Sequence, residues 1–248
     1  MKRLLLSVFA LSLTSGAFAQ GWVEQNTNLF EVSRGVYKLD VVDASTVWGI
    51  AYDGSGGGAN VQEFTKTTDG GATWVPGFVE VFDPELSINN VSAIDGNTAF
   101  VSMINGDLGG GGVYKTVDGG ENWINSNPGG YISGASFLNV VHFFNANVGI
   151  TSGDPINGEY EVYRTTDGGE TWTLTPGSAL PNPVNIDEYG YNGGNVAYGN
   201  SFWFVTNKGN IYRTTDTGIT WSKFSTPLTD FSATGTGGDM YFSNENNG

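Results

Sequence analysis

From Val36 onward the chain alternates short apolar runs with clusters of glycine, asparagine and aspartate. The runs have strand length, and the clusters between them are rich in turn residues. The runs sort into recurring classes. Residues 36–42, 89–94, 139–144 and 239–242 form one, residues 46–52, 98–103, 148–152 and 201–206 a second, and residues 61–66, 113–116, 161–165 and 210–214 a third. Each third run leads into a turn cluster closed by a tryptophan, where a fourth strand is expected to start. Trp74, Trp123, Trp172 and Trp221 each lie 49 positions after the last. Repeated units of four short strands predict an all-β chain of radially arranged sheets, a β-propeller.

The turn cluster is itself a repeat. Thr67-Thr-Asp69-Gly-Gly71-Ala-Thr-Trp74 returns as Thr116-Val-Asp118-Gly-Gly120-Glu-Asn-Trp123, as Thr165-Thr-Asp167-Gly-Gly169-Glu-Thr-Trp172 and as Thr214-Thr-Asp216-Thr-Gly218-Ile-Thr-Trp221. The carboxylate and hydroxyl can accept hydrogen bonds from turn N–H groups. The second glycine permits a positive φ, and the tryptophan brings a large face to bury between sheets. These residues are therefore read as structural. A basic residue precedes each cluster (Lys66, Lys115, Arg164, Arg213), and pairing with a carboxylate of the adjacent repeat is expected. The motif resembles the BNR or Asp-box repeat of sialidases, xyloglucanase-type hydrolases, sortilin-type receptors and photosystem II assembly factor-like proteins. It is specific for fold and weakly specific for function. Asn246-Asn247-Gly248 aligns near Asn147-Val148-Gly149, between the first and second strands of a fifth unit. Four complete blades and a partial fifth are expected, as a fragment of a ring of about seven blades. Residues 20–24 are expected to form a lone outer strand.

The N-terminus changes the picture of where this chain works. Met1-Lys2-Arg3, an apolar run from Leu4 to Leu13 and Ala17-Phe18-Ala19 read as a signal peptide over residues 1–19, followed by the propeller over 20–248. The run is too short to span a membrane. The implied location is extracellular, cell-surface or periplasmic. Removing Lys2 and Arg3 takes the formal charge from −15 to −17, which disfavours nucleic acid and anionic lipid as partners. Cysteine is absent, so thiol chemistry and thiolate metal sites are excluded. No cofactor or metal is expected. Carboxylates suit calcium, but no motif marks a calcium site.

Candidate chemistry falls on loops opposite the turn clusters. Loops 53–60, 105–112 and 153–160 are long, the fourth in the series (207–209) is tight, and the loop 185–192 between units is acidic and aromatic. Asp53, Asp107, Asp154, Glu159, Tyr160, Asp187, Glu188, Tyr189 and Tyr191 are the candidate ligand-binding residues. Carboxylates next to aromatic faces suit sugars, and the expected partner is a protein or glycan on this face. His142, the single histidine, is expected to be structural. The resemblance also brings an alternative, a glycosidase using paired carboxylates. The sialidase version needs three arginines, whereas the chain beyond the leader has only Arg34, Arg164 and Arg213, two of them in the slot before the cluster. The resemblance further extends to exported bacterial propellers that carry a C-terminal sorting domain. It implies a scaffold or adhesion module, with no catalytic residues assigned.

Overall fold

The computed structural model describes residues 23–81, 83–105, 111–126, 136–227 and 240–248. Strands β1 (Arg34–Val41), β2 (Val47–Asp53), β3 (Glu63–Thr67) and β4 (Val75–Phe78) form one sheet. Strands β5 (Ser87–Ala93), β6 (Ala99–Ile104), β7 (Gly111–Thr116) and β8 (Ile124–Asn125) form the second. The third contains β9 (Leu138–Phe143), β10 (Gly149–Ile156), β11 (Glu159–Thr165) and β12 (Thr173–Leu174). The fourth contains β13 (Gly190–Tyr198), β14 (Ser201–Thr206), β15 (Asn210–Thr214) and β16 (Ser222–Ser225). Each is a four-stranded antiparallel meander with its strands in chain order. The four blades form a β-propeller, with β1, β5, β9 and β13 innermost and β1 against β5, β5 against β9 and β9 against β13.

Every turn cluster closes its hairpin in the same way. The Thr67 hydroxyl donates to Asp69 Oδ1 at 2.8 Å and accepts the Gly71 N–H at 2.9 Å. Asp69 also takes the Thr73 N–H at 2.8 Å and the Thr73 hydroxyl at 2.6 Å. Thr116/Asp118, Thr165/Asp167 and Thr214/Asp216 repeat this pattern, with Asn122 standing in for the second threonine in the second blade. Donors from Thr73, Asn122 and Thr171 respectively hold Asp69, Asp118 and Asp167 down to about 2. What these carboxylates contribute to stability is therefore in place above the ordinary carboxylate range and is lost as the pH falls toward 2.

The second glycine of each cluster has φ of +87°, +91°, +86° and +88° at Gly71, Gly120, Gly169 and Gly218. It also lies flat on the preceding element. A Cβ on Gly120 would stand 2.3 Å from the Phe64 ring, and one on Gly218 2.6 Å from Ile150 Cγ2. The glycine is thus a docking surface as well as a turn residue. Trp123 lies edge-on to Trp48 and Phe64 of the first blade at 6.4 and 5.7 Å. Trp221 packs mainly in its own blade, on Phe202 and Phe204.

The four basic residues are framework residues, but the expected carboxylate pairing holds only for Lys115, which meets Glu170 at 3.2 Å. Lys66 donates to the Gly96 carbonyl at 2.8 Å, Arg164 to the Thr217 carbonyl at 2.8 Å and Arg213 to the Glu245 carbonyl at 3.0 Å. Each contact crosses to the next repeat. Lys66, Lys115 and Arg213 also lie over the ring paired with them on the neighbouring strand, Trp48, Phe100 and Trp203.

Inner strands of adjacent blades do not ladder, so their edge backbone groups need other partners. Polar side chains supply them. Asp40 accepts the Ala93 N–H at 2.5 Å, Asn90 the Val141 N–H at 3.4 Å and Ser92 the Phe143 N–H at 2.9 Å. Across the axis, Lys38 donates to Asn195 at 2.8 Å. His142 sits on this wall against Phe144 and Phe202. Burial, aided by the charge of Lys38, brings its pKa down to about 4, so the imidazole is neutral near pH 7.

Two expectations need correction. Residues 23–29 form no strand, while 20–22 lie outside the described residues. The segment instead lies against the first blade: Gln25 accepts from the Trp74 indole at 3.0 Å, and Phe30 stacks on Phe78 at 4.8 Å. Residues 240–242 likewise form no strand, and 239 lies outside the described residues. The fifth unit is nevertheless present. Asn244 accepts the N–H groups of Asn246 and Asn247, as Asp95 accepts those of Asn97 and Thr98 in the second blade. Phe242 stacks on Trp203 at 4.2 Å.

Changing Gly120 to alanine forces a left-handed φ on a side-chain-bearing residue and drives a methyl into Phe64. The expected loss is about 2–4 kcal/mol, measured by chemical denaturation, against about 1 kcal/mol for alanine at Gly56, whose φ is also positive but whose Cβ would meet nothing.

Candidate functional site

The nine predicted ligand residues divide by what holds them. Asp53 ends β2 and organises its own loop. It accepts the Ser55 hydroxyl at 2.8 Å, the Ser55 and Ala59 N–H groups at 3.0 Å each and Arg34 at 3.2 Å. The Ser55 hydroxyl leads the donors that bring its carboxyl down to about 2. Asp107 lies outside the described residues. Glu188 is 1% exposed. It accepts the Val184 N–H at 2.5 Å, the Thr206 hydroxyl at 2.6 Å and the Asn210 amide at 2.8 Å, tying the loop to β14 and β15. Tyr160 is a core plug, 3% exposed, between Phe204 at 5.3 Å and Tyr212 at 4.8 Å. Burial pushes its phenol pKa upward.

Residues 153–160 are mostly strand. β10 and β11 extend to a two-residue Asn157-Gly158 turn with φ of +54° and +84°, the backbone of a tight hairpin. The Asn-Gly pair was the signal for this. Asp154 lies in the bulge between Ser152 and Pro155. Asp154 accepts the Asn139 amide at 2.7 Å and the Gly190 N–H at 3.1 Å, bridging the third and fourth blades. Burial raises its pKa, partly offset by these donors. Glu159 and Asp187 are exposed. Tyr189 is 40% exposed and lies edge-on to Tyr191 at 6.0 Å, on β13.

The fold therefore gathers a set that only partly overlaps the predicted one. Asn89 of β5 donates to the Leu138 carbonyl at 3.0 Å, the Asn139 carbonyl at 2.9 Å and the Asn192 side chain at 3.2 Å. Asn139 in turn holds Asp154. Amides from the second, third and fourth blades thus converge on the end of the axis opposite the turn clusters, beside Tyr189 and Tyr191. The three asparagines were missed as site residues. The signal for Asn89 and Asn139 was an amide at the start of an otherwise apolar strand, and Asn192 ends the loop 185–192 singled out in the sequence. Among the described residues, no group of three or more carboxylates or histidines is placed to hold a metal ion, and no helix is long and apolar enough to cross a membrane.

The BNR/Asp-box repeat family profile matches residues 163–174, the third turn cluster with its flanking strands. The chain carries Asp-box turn clusters on a β-propeller fold. No curated protein sequence matches it significantly. YCF48 from Cyanidioschyzon merolae superposes on this Asp-box propeller with TM-score 0.53 at 15% identity, over 79% of this chain and 58% of that one. The GH74 xyloglucanase from Xanthomonas campestris gives 0.50 at 18%, over 75% of this chain and 27% of that one. The Asp-box chain thus spans little more than half of the first and about a quarter of the second. At these identities the likeness is one of fold.

Asp154 behaves as an acceptor between blades. Asp154→Asn keeps an acceptor oxygen and removes a buried charge, so stability at pH 7 should stay within about 1 kcal/mol of the parent. Asp154→Ala strands the Asn139 and Gly190 donors and should cost about 1–3 kcal/mol. Thermal unfolding of the two variants separates these outcomes.

Proposed function

We propose that this Asp-box propeller is an exported, non-catalytic module that binds a protein or glycan at the axial end opposite its turn clusters. The observation that carries the reading is the cluster of Asn89, Asn139 and Asn192 from three blades, beside the exposed Tyr189 and its edge-on neighbour Tyr191. Buried Asn89 and Asn139 brace the strands that carry Asn192 and the tyrosines, and the aromatic pair offers apolar faces to a ligand. Export rests on the basic and apolar leader at the N-terminus.

The non-catalytic part rests on how the acids are used. Asp53, Asp154 and Glu188 each hold surrounding backbone or amide groups in place. A general acid or nucleophile must instead be free to meet a substrate. The net acidic charge disfavours nucleic acid and anionic lipid surfaces as partners.

The test is the intact chain on printed glycan and peptide arrays, alongside the double variant Tyr189→Ala, Tyr191→Ala. A saturable ligand, with affinity lowered at least about tenfold in the double variant at unchanged melting temperature, is the expected result. Hydrolysis of chromogenic glycosides or xyloglucan that disappears in Asp154→Asn or Asp187→Asn would contradict it.

A further inference from the structure

The four turn clusters are nearly interchangeable, and the junction where they differ most contains a cavity. The position three residues after the cluster aspartate is Ala72, Glu121, Glu170 and Ile219 in the four blades. At the second-to-third junction, Glu170 pairs with Lys115 of the preceding blade at 3.2 Å. At the first-to-second junction, Glu121 lies within electrostatic reach of Lys66. At the third-to-fourth junction the basic residue is Arg164, and isoleucine replaces the carboxylate. Among the described residues, no carboxylate is within ion-pair distance of Arg164. Its guanidinium instead donates to the carbonyl and hydroxyl of Thr217, at 2.8 and 3.0 Å. Like Lys66 and Arg213 it meets a carbonyl of the next repeat, but among the described residues it alone of the three also lines a cavity.

The same cluster carries a second departure. Thr217 stands where the other three have glycine and adopts φ of +60°. A β-branched residue is disfavoured in this region by about 1–2 kcal/mol. Its contacts with Arg164 hold it there, so the strained residue fixes the plane of the guanidinium.

Beside these residues is a cavity of about 320 Å³, lined by Arg164, Thr173, Leu174, Thr175, Pro176 and Ile219 among others. It combines one cation, threonine hydroxyls and a few apolar groups, at a size suited to a single sugar ring. β12 along its edge is only Thr173–Leu174, too short to seat an extended peptide by strand pairing.

We propose that this cleft binds a carboxylated sugar, a hexuronate, whose carboxylate takes the place that Glu121 and Glu170 occupy at the other junctions. Arg164 holds the carboxylate with its remaining N–H groups. The threonine hydroxyls meet the ring hydroxyls, and Leu174, Pro176 and Ile219 flank the ring. The cleft is on the turn-cluster side, away from the amide cluster, so failure at one site leaves the other untouched.

The test is amide NMR of the folded chain titrated with methyl glucuronide, with methyl glucoside, and with an acetylated, amidated tetrapeptide containing one glutamate. Ile219→Glu restores the internal carboxylate found in the second and third clusters, and Ile219→Gln is its uncharged control. Methyl glucuronide is expected to shift the Gly218 and Ile219 amides saturably and to bind at least about tenfold more tightly than either other probe. Ile219→Glu should weaken that binding at least about tenfold, and Ile219→Gln by less than about threefold. Absence of saturable shifts, equal response to the glucoside, tighter binding of the peptide, or unchanged affinity in Ile219→Glu would each overturn the proposal.

Discussion

The structure depends on a threonine hydroxyl that does two things at once. In each turn cluster it donates to the aspartate and accepts the N–H of the second glycine. That fixes the glycine in a conformation other residues resist and turns its bare Cα face toward the preceding element. Phe64 and Ile150 of the first and third blades approach Gly120 and Gly218 closely enough to exclude a methyl group. The hydrogen bond is local, but its consequence is an inter-blade contact. This explains why serine-like chemistry, carboxylate and glycine recur together at a fixed spacing.

Blades must also be joined along the axis, where no ladder runs between them. The chain uses its few cations and its buried amides for this. Lys66 and Arg213 reach equivalent carbonyls in the next repeat, Gly96 and Glu245, so the fifth unit docks on the fourth blade as the second docks on the first. Asp40, Asn90 and Ser92 satisfy N–H groups on the neighbouring inner strand. A carbonyl is as good a partner as a carboxylate for a half-buried cation and needs no second charge to be desolvated. That accounts for the single ion pair across a junction among the described residues, where several were expected.

Much of the fold was legible because the turn cluster encodes its own hydrogen bonds. A Thr, Asp and Gly at fixed offsets can close only a few turns, and their recurrence every 49 residues revealed the blades. What escaped was the inner strand of the fourth blade. Gly190-Tyr191-Asn192-Gly193-Gly194-Asn195 reads as a loop, and a wide register shift between Gly190 and Asn195 lets it join β14 all the same. The candidate site was less legible for a related reason. Sequence places an acid on a loop but does not say whether neighbours will consume its lone pairs, and Asp53, Asp154 and Glu188 all met donors from distant segments. Asn89 and Asn139 were visible only as exceptions to an apolar pattern, and Asn192 only as part of a loop. Their meeting depends on blade docking, which no local pattern describes.

The claim that these clusters bind blades together is tested most directly by native-state hydrogen exchange at the Gly71, Gly120, Gly169 and Gly218 amides. If the hydroxyl-bound glycines are part of the cooperative core, the three that face a preceding blade will exchange only with global unfolding, in step with β6, β10 and β14, and Gly71, which has no blade before it among the described residues, will exchange sooner. If all four amides exchange rapidly while those strands stay protected, the clusters are surface turns and the account of how the propeller is held together is wrong.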